Sequence, residues 1–332
     1  MAGTPKSFLV IQTAFIGDVI LATALIEKLH KVFPDAAIDF LLRKGNESLL
    51  IGHPHLREVL VWDKKRGKIR NLLKMAGRVR SKRYDVVINT HRYASSGLIT
   101  ALSGASLKIG FKKNPWSFAF NQSVQHDFGT NVHEIDRNQK LIESLTDSTH
   151  ELPRLYPSDE DFKRVKKFQA ARYICIAPTS VWFTKQLPAK QWIGLIKSVS
   201  DQFASVYLLG APTDREICES IARESNANVV SLAGELSFLE SAALMKEAAM
   251  NFVNDSAPMH LASAMNAPVT AVYCSTIPAF GFGPLSAKSF IVQTSEKLSC
   301  RPCGSHGYKA CPQGHFKCAT TISTELLQSV LG

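Results

Sequence analysis

Short runs that are apolar throughout alternate with longer stretches whose apolar residues recur every three or four positions, from residue 8 to about residue 273. Uniformly apolar runs suit strands buried on both faces, and the amphipathic stretches suit helices. The alternation therefore predicts an α/β protein with parallel sheets. In the first half the pattern places strands at Phe8–Gln12, Ile38–Leu42, Val59–Trp62, Val86–Asn89 and Leu107–Gly110, with helices over Val19–Val32, Lys68–Ser81 and Ser95–Leu102. It then restarts, with strands at Tyr173–Ala177, Val206–Leu209, Val229–Leu232, Asn251–Val253 and Val269–Tyr273. Helices fall between them over Lys190–Ser200, Asp214–Glu224, Leu239–Ala248 and Met259–Met265. Two prolines in ELPRLYP end the preceding helix and mark a boundary, giving units 1–155 and 156–332. Two doubly wound units facing each other would form a cleft at the carboxyl ends of their strands, where such sheets bind ligands.

Composition agrees with this picture and narrows it. A chain of 332 residues, 45% hydrophobic and 20% charged, is long enough for two folded domains and excludes a disordered, collagen-like or small disulfide-stapled protein. Its most apolar stretches, such as Val19–Ile26, are far short of the ~20 residues that a spanning helix needs. The start MAGTPKSFLVIQT lacks the apolar core and cleavage site of a signal peptide, so the expectation is a soluble cytoplasmic protein.

Charge changes the picture more. Residues 1–155 hold 23 Lys and Arg against 14 Asp and Glu, which places +9 of the net +11 in the first unit. Ten basic residues and no acid lie in KKRGKIRNLLKMAGRVRSKR, Lys64–Arg83. Such a field attracts anions, whether nucleic acid, acidic lipid headgroups or phosphorylated sugars, although a basic run is also what a solvated helix face looks like. Cysteine is equally uneven. All seven lie after residue 170, four of them as Cys300-x2-Cys303-x7-Cys311-x6-Cys318. Four thiolates over 19 residues could make a tetrahedral zinc site, with His306 and His315 as alternative ligands, or could simply be reduced thiols in a loop.

Three loops carry candidate chemistry. The first strand runs into QTAFIGDV, which puts Asp18 at the mouth of a helix. A helix N-terminus favours a carboxylate there, and position alone fits a cap as well as a catalytic group. After the strand at Tyr173–Ala177 comes PTSVWFTKQLP, with hydroxyls at Thr179 and Ser180 and an ammonium at Lys185, groups that suit phosphate oxygens. After Asn251–Val253 comes NDSAPMH, where small residues and Pro258 shape a helix start able to hold a phosphate, or simply an Asp/Ser cap. No G-x-G-x-x-G follows the first strand and no Walker A sequence occurs, which counts against nicotinamide, flavin and P-loop proteins.

Taken together and in order, AFIGDVILATALIEKL, SVWFTKQLPAKQW and LAGELSFLESAALMKEAAMNFVNDSAPMHLASAMNAPVTAVY resemble the ADP-heptose:lipopolysaccharide heptosyltransferases, glycosyltransferase family 9. The similarity covers nearly the whole chain. It implies the GT-B architecture of two facing Rossmann-like domains, an acceptor-binding one at 1–155 and a nucleotide-sugar-binding one at 156–332. It also implies an inverting transfer of heptose from ADP-heptose to the inner core of a lipopolysaccharide precursor, with no cofactor and no metal at the catalytic site.

Residue by residue, the resemblance implies that Asp18 is the general base and that Lys185 contacts the donor phosphates with Thr179 or Ser180 nearby. Glu240 would bind the donor ribose, unless it is an ordinary helix-surface acid. Asp255, Ser256, Ala257 and His260 would form the diphosphate-binding turn. Ala257 departs from the pattern, which has glycine there, and its methyl group restricts backbone approach to the diphosphate. His133 and Glu134 fall in a segment similar to the family's without an assignable chemistry.

With an acceptor made of lipid A, Kdo and core sugars, the basic stretch, and Lys64, Lys65 and Arg66 in particular, reads as a docking face for a membrane-borne acid. The protein would then sit peripherally at the inner face of the cytoplasmic membrane and bind no nucleic acid. The alternatives are another GT-B nucleotide-sugar transferase or an epimerase, and outside enzymes an anion- or nucleic-acid-binding protein. The last lacks any RNP-like aromatic motif or zinc finger to support it.

Overall fold

The computed structural model describes residues 4–64, 67–169, 171–225 and 228–331. The chain divides into two compact units, Met1–Tyr156 and Pro157–Gly332.

In the first unit six parallel strands alternate with helices: β1 (Ser7–Ile11), α1 (Ile16–Val32), β2 (Ala37–Arg43), β3 (Glu58–Trp62), α2 (Lys68–Ser81), β4 (Val86–Asn89), α3 (Ala94–Leu102), β5 (Leu107–Phe111), β6 (Gln122–Val124) and α4 (Glu134–Ile142). The sheet order is β3-β2-β1-β4-β5-β6. The second unit repeats the plan with α5 (Asp159–Val165), β7 (Tyr173–Ala177), α6 (Ala189–Val199), β8 (Ser205–Leu208), α7 (Arg215–Ser225), β9 (Val229–Ser231), α8 (Phe238–Lys246), β10 (Asn251–Asn254), α9 (Ala257–Ala264), β11 (Val269–Tyr273) and β12 (Ser289–Gln293). Its order is β12-β11-β10-β7-β8-β9, the same winding with β7 in the place of β1.

Central strands here are apolar on both faces because helices cover both faces. Phe8, Leu9, Val10 and Ile11 of β1 are fully buried, as are Ile174 and Ile176 of β7. In each sheet the winding reverses direction at its first strand, between β1 and β4 and between β7 and β10. Loops leaving adjacent strands there diverge to opposite faces and open a crevice, the usual ligand position in such sheets. The residues after β1, β4, β7 and β10 are thereby selected as the site-bearing ones.

Strands and helices of the apolar pattern appear within a few residues of their expected places. The structure adds β6, β12, α4 and α5. Edge strands β6 and β12 are invisible to the pattern because they are half exposed: Ser289, Ile291 and Gln293 of β12 face solvent, so no uniform apolar run marks them. α5 is set by a capping box in which Ser158 and Asp161 satisfy each other's backbone N–H groups.

Some sites of close approach are rigidly specified. Gly97 on α3 lies against Asn114, whose amide donates to the carbonyls of His91 (3.0 Å) and Tyr93 (3.2 Å). A Cβ built on Gly97 would stand 2.0 Å from the Asn114 Oδ1. Gly97→Ala therefore forces this buried amide away from the loop after β4. We expect a loss of about 2 kcal/mol of stability, read as a lower urea midpoint for the first unit's transition.

Candidate active site

Asp18 sits in the first turn of α1, which begins two residues before it, with Phe15 as the N-cap. It is the third residue of the helix and not the N-cap itself, and its carboxylate accepts from the Phe15 backbone N–H, so it also makes the helix-start contact that its position allowed. Burial raises its carboxyl to about 6, the nearby Glu134 carboxylate pushes in the same direction, and the Phe15 and Asp18 backbone N–H groups with Arg92 oppose them. A half-buried carboxylate whose pKa lies near neutrality is what a general base requires.

Glu134 is itself held as an anion. Burial opposes its ionisation, but His126 and Arg137 more than offset that and hold it below the usual carboxylate range. Arg137, fully buried, reaches Glu134 Oε2 from Nη2 at 2.6 Å and from Nε at 2.7 Å. His126 Nε2 lies 3.4 Å from the same oxygen, and its Nδ1 lies 3.4 Å from Arg92 Nη1. The four groups run in series from Arg92, on the loop after β4, through His126 to Glu134 and Arg137 at the start of α4. α4 packs on α1, so the chain of charges is brought beside Asp18. His133, the N-cap of α4, accepts from the Ile135 backbone N–H at 3.2 Å. The segment without assignable chemistry thus caps a helix with one residue and sets Asp18's proton affinity with the next.

The structure shows Lys64 turned inward. Its ammonium donates to the Thr13 carbonyl at 3.0 Å and the Thr13 hydroxyl at 2.8 Å, at the end of β1, and lies 4.7 Å from the Trp62 ring centroid. Burial, with help from Arg43, lowers its pKa to about 8. Thr13 Oγ1 also contacts His91 Nδ1 at 3.2 Å, and burial followed by repulsion from Lys64 depresses that imidazole to about 3. Lys65 and Arg66 lie outside the described residues. The basic stretch is also less unopposed than its sequence suggested: Arg78 and Lys82 pair with Glu58 on β3, and Lys82 approaches the buried Asp39 at 3.6 Å.

In the second unit the expected donor residues cluster on the loops after β7 and β10. Lys185 Nζ lies 2.8 Å from Asp255 Oδ2, and the Thr276 hydroxyl donates to the same oxygen at 2.6 Å. Asn254 ties the two loops together, accepting from the Leu187 N–H at 2.9 Å and donating to the Ala177 and Thr179 carbonyls at 3.4 Å. Gln186 donates to the Ser180 carbonyl at 2.6 Å. Ser256 is the N-cap of α9 without a side-chain cap bond, Ala257 is its first residue, and His260 is buried one turn on. The arrangement leaves an ammonium and a helix N-terminus together at the reversal between β7 and β10, a setting suited to an anion.

Glu240 is placed differently. One carboxylate oxygen accepts from the Ser237 backbone N–H at 2.6 Å in a capping box on α8, and the other lies 2.8 Å from Arg164 Nε. These contacts hold its carboxylate in place and leave each oxygen a further acceptor site.

The cysteine segment is not a metal cage in this arrangement. Cys300 Sγ approaches His315 Nε2 at 3.8 Å, but among the described residues no three His, Cys, Asp or Glu side chains converge closely enough to hold an ion. The segment instead backs the donor loops. Arg301 donates to the carbonyls of Cys274, Tyr273 and Thr276 at the end of β11, and the Cys303 N–H donates to the Ser275 carbonyl at 2.7 Å. Tyr308 and Thr184 exchange bonds, its carbonyl accepting from the Thr184 N–H at 3.1 Å and its N–H donating to Thr184 Oγ1 at 2.7 Å. Gly307, at φ +79°, closes the contact: a Cβ there would stand 2.8 Å from Thr184 Oγ1 and 3.0 Å from Lys185 Cγ.

A family model described as glycosyltransferase family 9 (heptosyltransferase) matches residues 72–310. The chain belongs to glycosyltransferase family 9. Lipopolysaccharide heptosyltransferase 3 of Escherichia coli K12 is 28% identical over 278 residues, covering 78% of this chain and 80% of the relative. Among solved structures, a family 9 glycosyl transferase from Veillonella parvula superposes with a TM-score of 0.88 at 22% identity, covering 100% and 98% of the two chains. The ADP-heptose lps heptosyltransferase II of E. coli does so with a TM-score of 0.80 at 22% identity, covering 98% of each. The two Rossmann-like units are accordingly those of a GT-B fold, and the chain is a glycosyltransferase. Pattern reasoning misses Arg92, His126, Arg137 and Arg301: Arg92 and Arg301 act across 34 and 27 residues, and the local contacts of His126 and Arg137 with Glu134 fall in a segment that carries no recognised motif.

Two outcomes follow for this family 9 member. The acidic limb of kcat/KM should fall at about 6, with activity rising as Asp18 deprotonates. Glu134→Gln, which removes a like charge, should move that limb down by about half a unit or more. An unshifted limb would dissociate Asp18 from the profile. Gly307→Ala should raise KM for the nucleotide-sugar several-fold with a smaller change in kcat, read by steady-state kinetics.

Proposed function

We propose that this enzyme transfers heptose from ADP-heptose to the inner core of a lipopolysaccharide precursor, with inversion at the anomeric carbon and without a catalytic metal. The observation that carries the reading is the Asp18 carboxylate, raised to about 6 at the reversal of the first sheet. The Lys185–Asp255 pair at the reversal of the second sheet supplies the complementary donor chemistry. The names of the family and of the relatives supply the sugar and the acceptor.

In this reading Asp18 accepts the proton of an acceptor hydroxyl as that oxygen bonds to the anomeric carbon. The bond from that carbon to the diphosphate oxygen breaks on the opposite face, and ADP leaves with the electron pair. A positioned base of this kind contributes about 10²–10⁴-fold. Glu134 is locked by Arg137 and His126, which leaves Asp18 as the base and favours a single displacement, hence inversion. Charge growing on the diphosphate is met by the Lys185 ammonium and the N-terminus of α9, which do there what a divalent ion does elsewhere. The acceptor, held in a membrane by its lipid, brings the enzyme to the inner face of the cytoplasmic membrane.

The test is Asp18→Asn. Transfer from ADP-heptose should fall by at least about 10²-fold, while calorimetric ADP binding stays near wild type and exceeds UDP binding. Loss of both transfer and ADP binding, or a preference for UDP, would sink the reading. The same variant should be more stable at pH 8. A carboxyl whose pKa is raised by folding binds its proton more tightly when folded, so stability declines as pH climbs from about 4 through 6. The full cost of up to about 3 kcal/mol then stands at neutral pH and is removed by the amide.

A further inference from the structure

α2 is the least reconciled element of the first unit. It buries Met75, Ala76 and Val79 and leaves two large apolar side chains in solvent, Ile69 at 75% and Leu73 at 53% exposure. These two stand one helical turn apart, so they project side by side from one face. Lys68, Arg70 and Lys74 are exposed around them, and among the described residues no acid pairs with these three cations. The helix carries no acidic residue at all. Further along, Arg78 and Lys82 share the single carboxylate of Glu58, and Lys64 is folded onto Thr13. Unpaired positive charge therefore surrounds Ile69 and Leu73 on the first two turns of α2, and Arg80 and Arg83, at the far end of the stretch, pair with no acid among the described residues either.

Apolar knobs ringed by unpaired cations fit a surface that offers negative charge outside and hydrocarbon just beneath. A nucleic acid offers the charge without the hydrocarbon, and a soluble anionic sugar likewise. No helix among the described residues is long and apolar enough to cross a membrane, so contact of this kind lies in the interface plane. We propose that the first two turns of α2 dock on an anionic phospholipid bilayer, with Ile69 and Leu73 inserted below the headgroups and Lys68, Arg70 and Lys74 among their phosphates. This deepens the reading of a lipid-borne acceptor and rests on it for its purpose, but not for its test.

The full chain is floated with vesicles of phosphatidylglycerol and phosphatidylethanolamine, or of phosphatidylcholine alone, in the absence of any sugar donor. Binding should require the anionic lipid and weaken with added salt. Ile69→Asn with Leu73→Asn should lower partitioning by at least about tenfold, since that is the share of two partly inserted aliphatic side chains. The circular dichroism spectrum and urea midpoint of the double variant should match wild type, which shows that it is folded. A Leu73→Trp variant should show a blue-shifted emission on adding anionic vesicles and none with phosphatidylcholine. The proposal falls if the double variant floats as well as wild type, or if the emission of Leu73→Trp does not move. It falls too if the wild type forms a dimer that the double variant dissolves, which would assign the face to a second copy. Failure of transfer in wild type, with vesicle binding intact, would instead overturn the proposed function and leave this surface standing.

Discussion

The structure depends on one constraint: a carboxylate must stay chemically available in a place where water is scarce. Burial is the largest influence on Asp18 and favours its neutral form. Its strongest neighbours are divided. Glu134 repels it, Arg92 and two backbone N–H groups attract it, and the balance leaves the group near the middle of its useful range. Keeping Glu134 charged then needs a buried Arg137 and His126 of its own. A polar cluster of this kind is stable only if each member is satisfied. Much of the loop architecture after β4 and β6 exists to satisfy it.

The second unit solves a related problem with the same winding. On the proposed reading its crevice concentrates positive charge for a leaving diphosphate, and Lys185 alone would be a floppy side chain on a loop. Asp255, oriented by the Thr276 hydroxyl, gives the ammonium a fixed partner, and Asn254 fixes the loop to the strand end. The pairing has a cost: an anionic donor competes with Asp255 for the same ammonium. An approaching diphosphate brings more charge than one carboxylate, so the exchange favours the ligand while the pair keeps the apo site ordered.

How much of this was legible in the sequence follows from distance along the chain. Buried parallel strands announce themselves as apolar runs, and the loops after β1, β7 and β10 could be singled out because strand, turn and helix start are contiguous. Among the half-exposed edge strands β9 still shows a short apolar run, whereas β6 and β12 do not stand out from their surroundings. Asp18 could be named but not told from a cap, since that depends on α1 starting at Ile16 and on Glu134 arriving from more than a hundred residues away. Lys64 reads from the sequence as part of an outward docking face for an anionic acceptor. Only the fold shows that Thr13 captures it, and that Glu58, six residues before the run begins, pairs with two of the others.

The cysteine segment shows the same limit from the opposite side. Four thiols in a short span suggest a metal because a long loop without secondary structure needs something to hold it. Here the holding is done by a guanidinium. Arg301 spends its fork on three carbonyls at the end of β11 and on Gln293 at the end of β12, closing the ladder ends that a parallel sheet leaves open. Cys303 and Tyr308 add backbone bonds at Ser275 and Thr184. The anchored chain then brings Gly307 against Lys185, where no larger residue fits. Order in this loop is thus transmitted to Lys185 by hydrogen bonds and by the lack of a side chain, so the position of that ammonium is set partly by a segment over a hundred residues further along the chain.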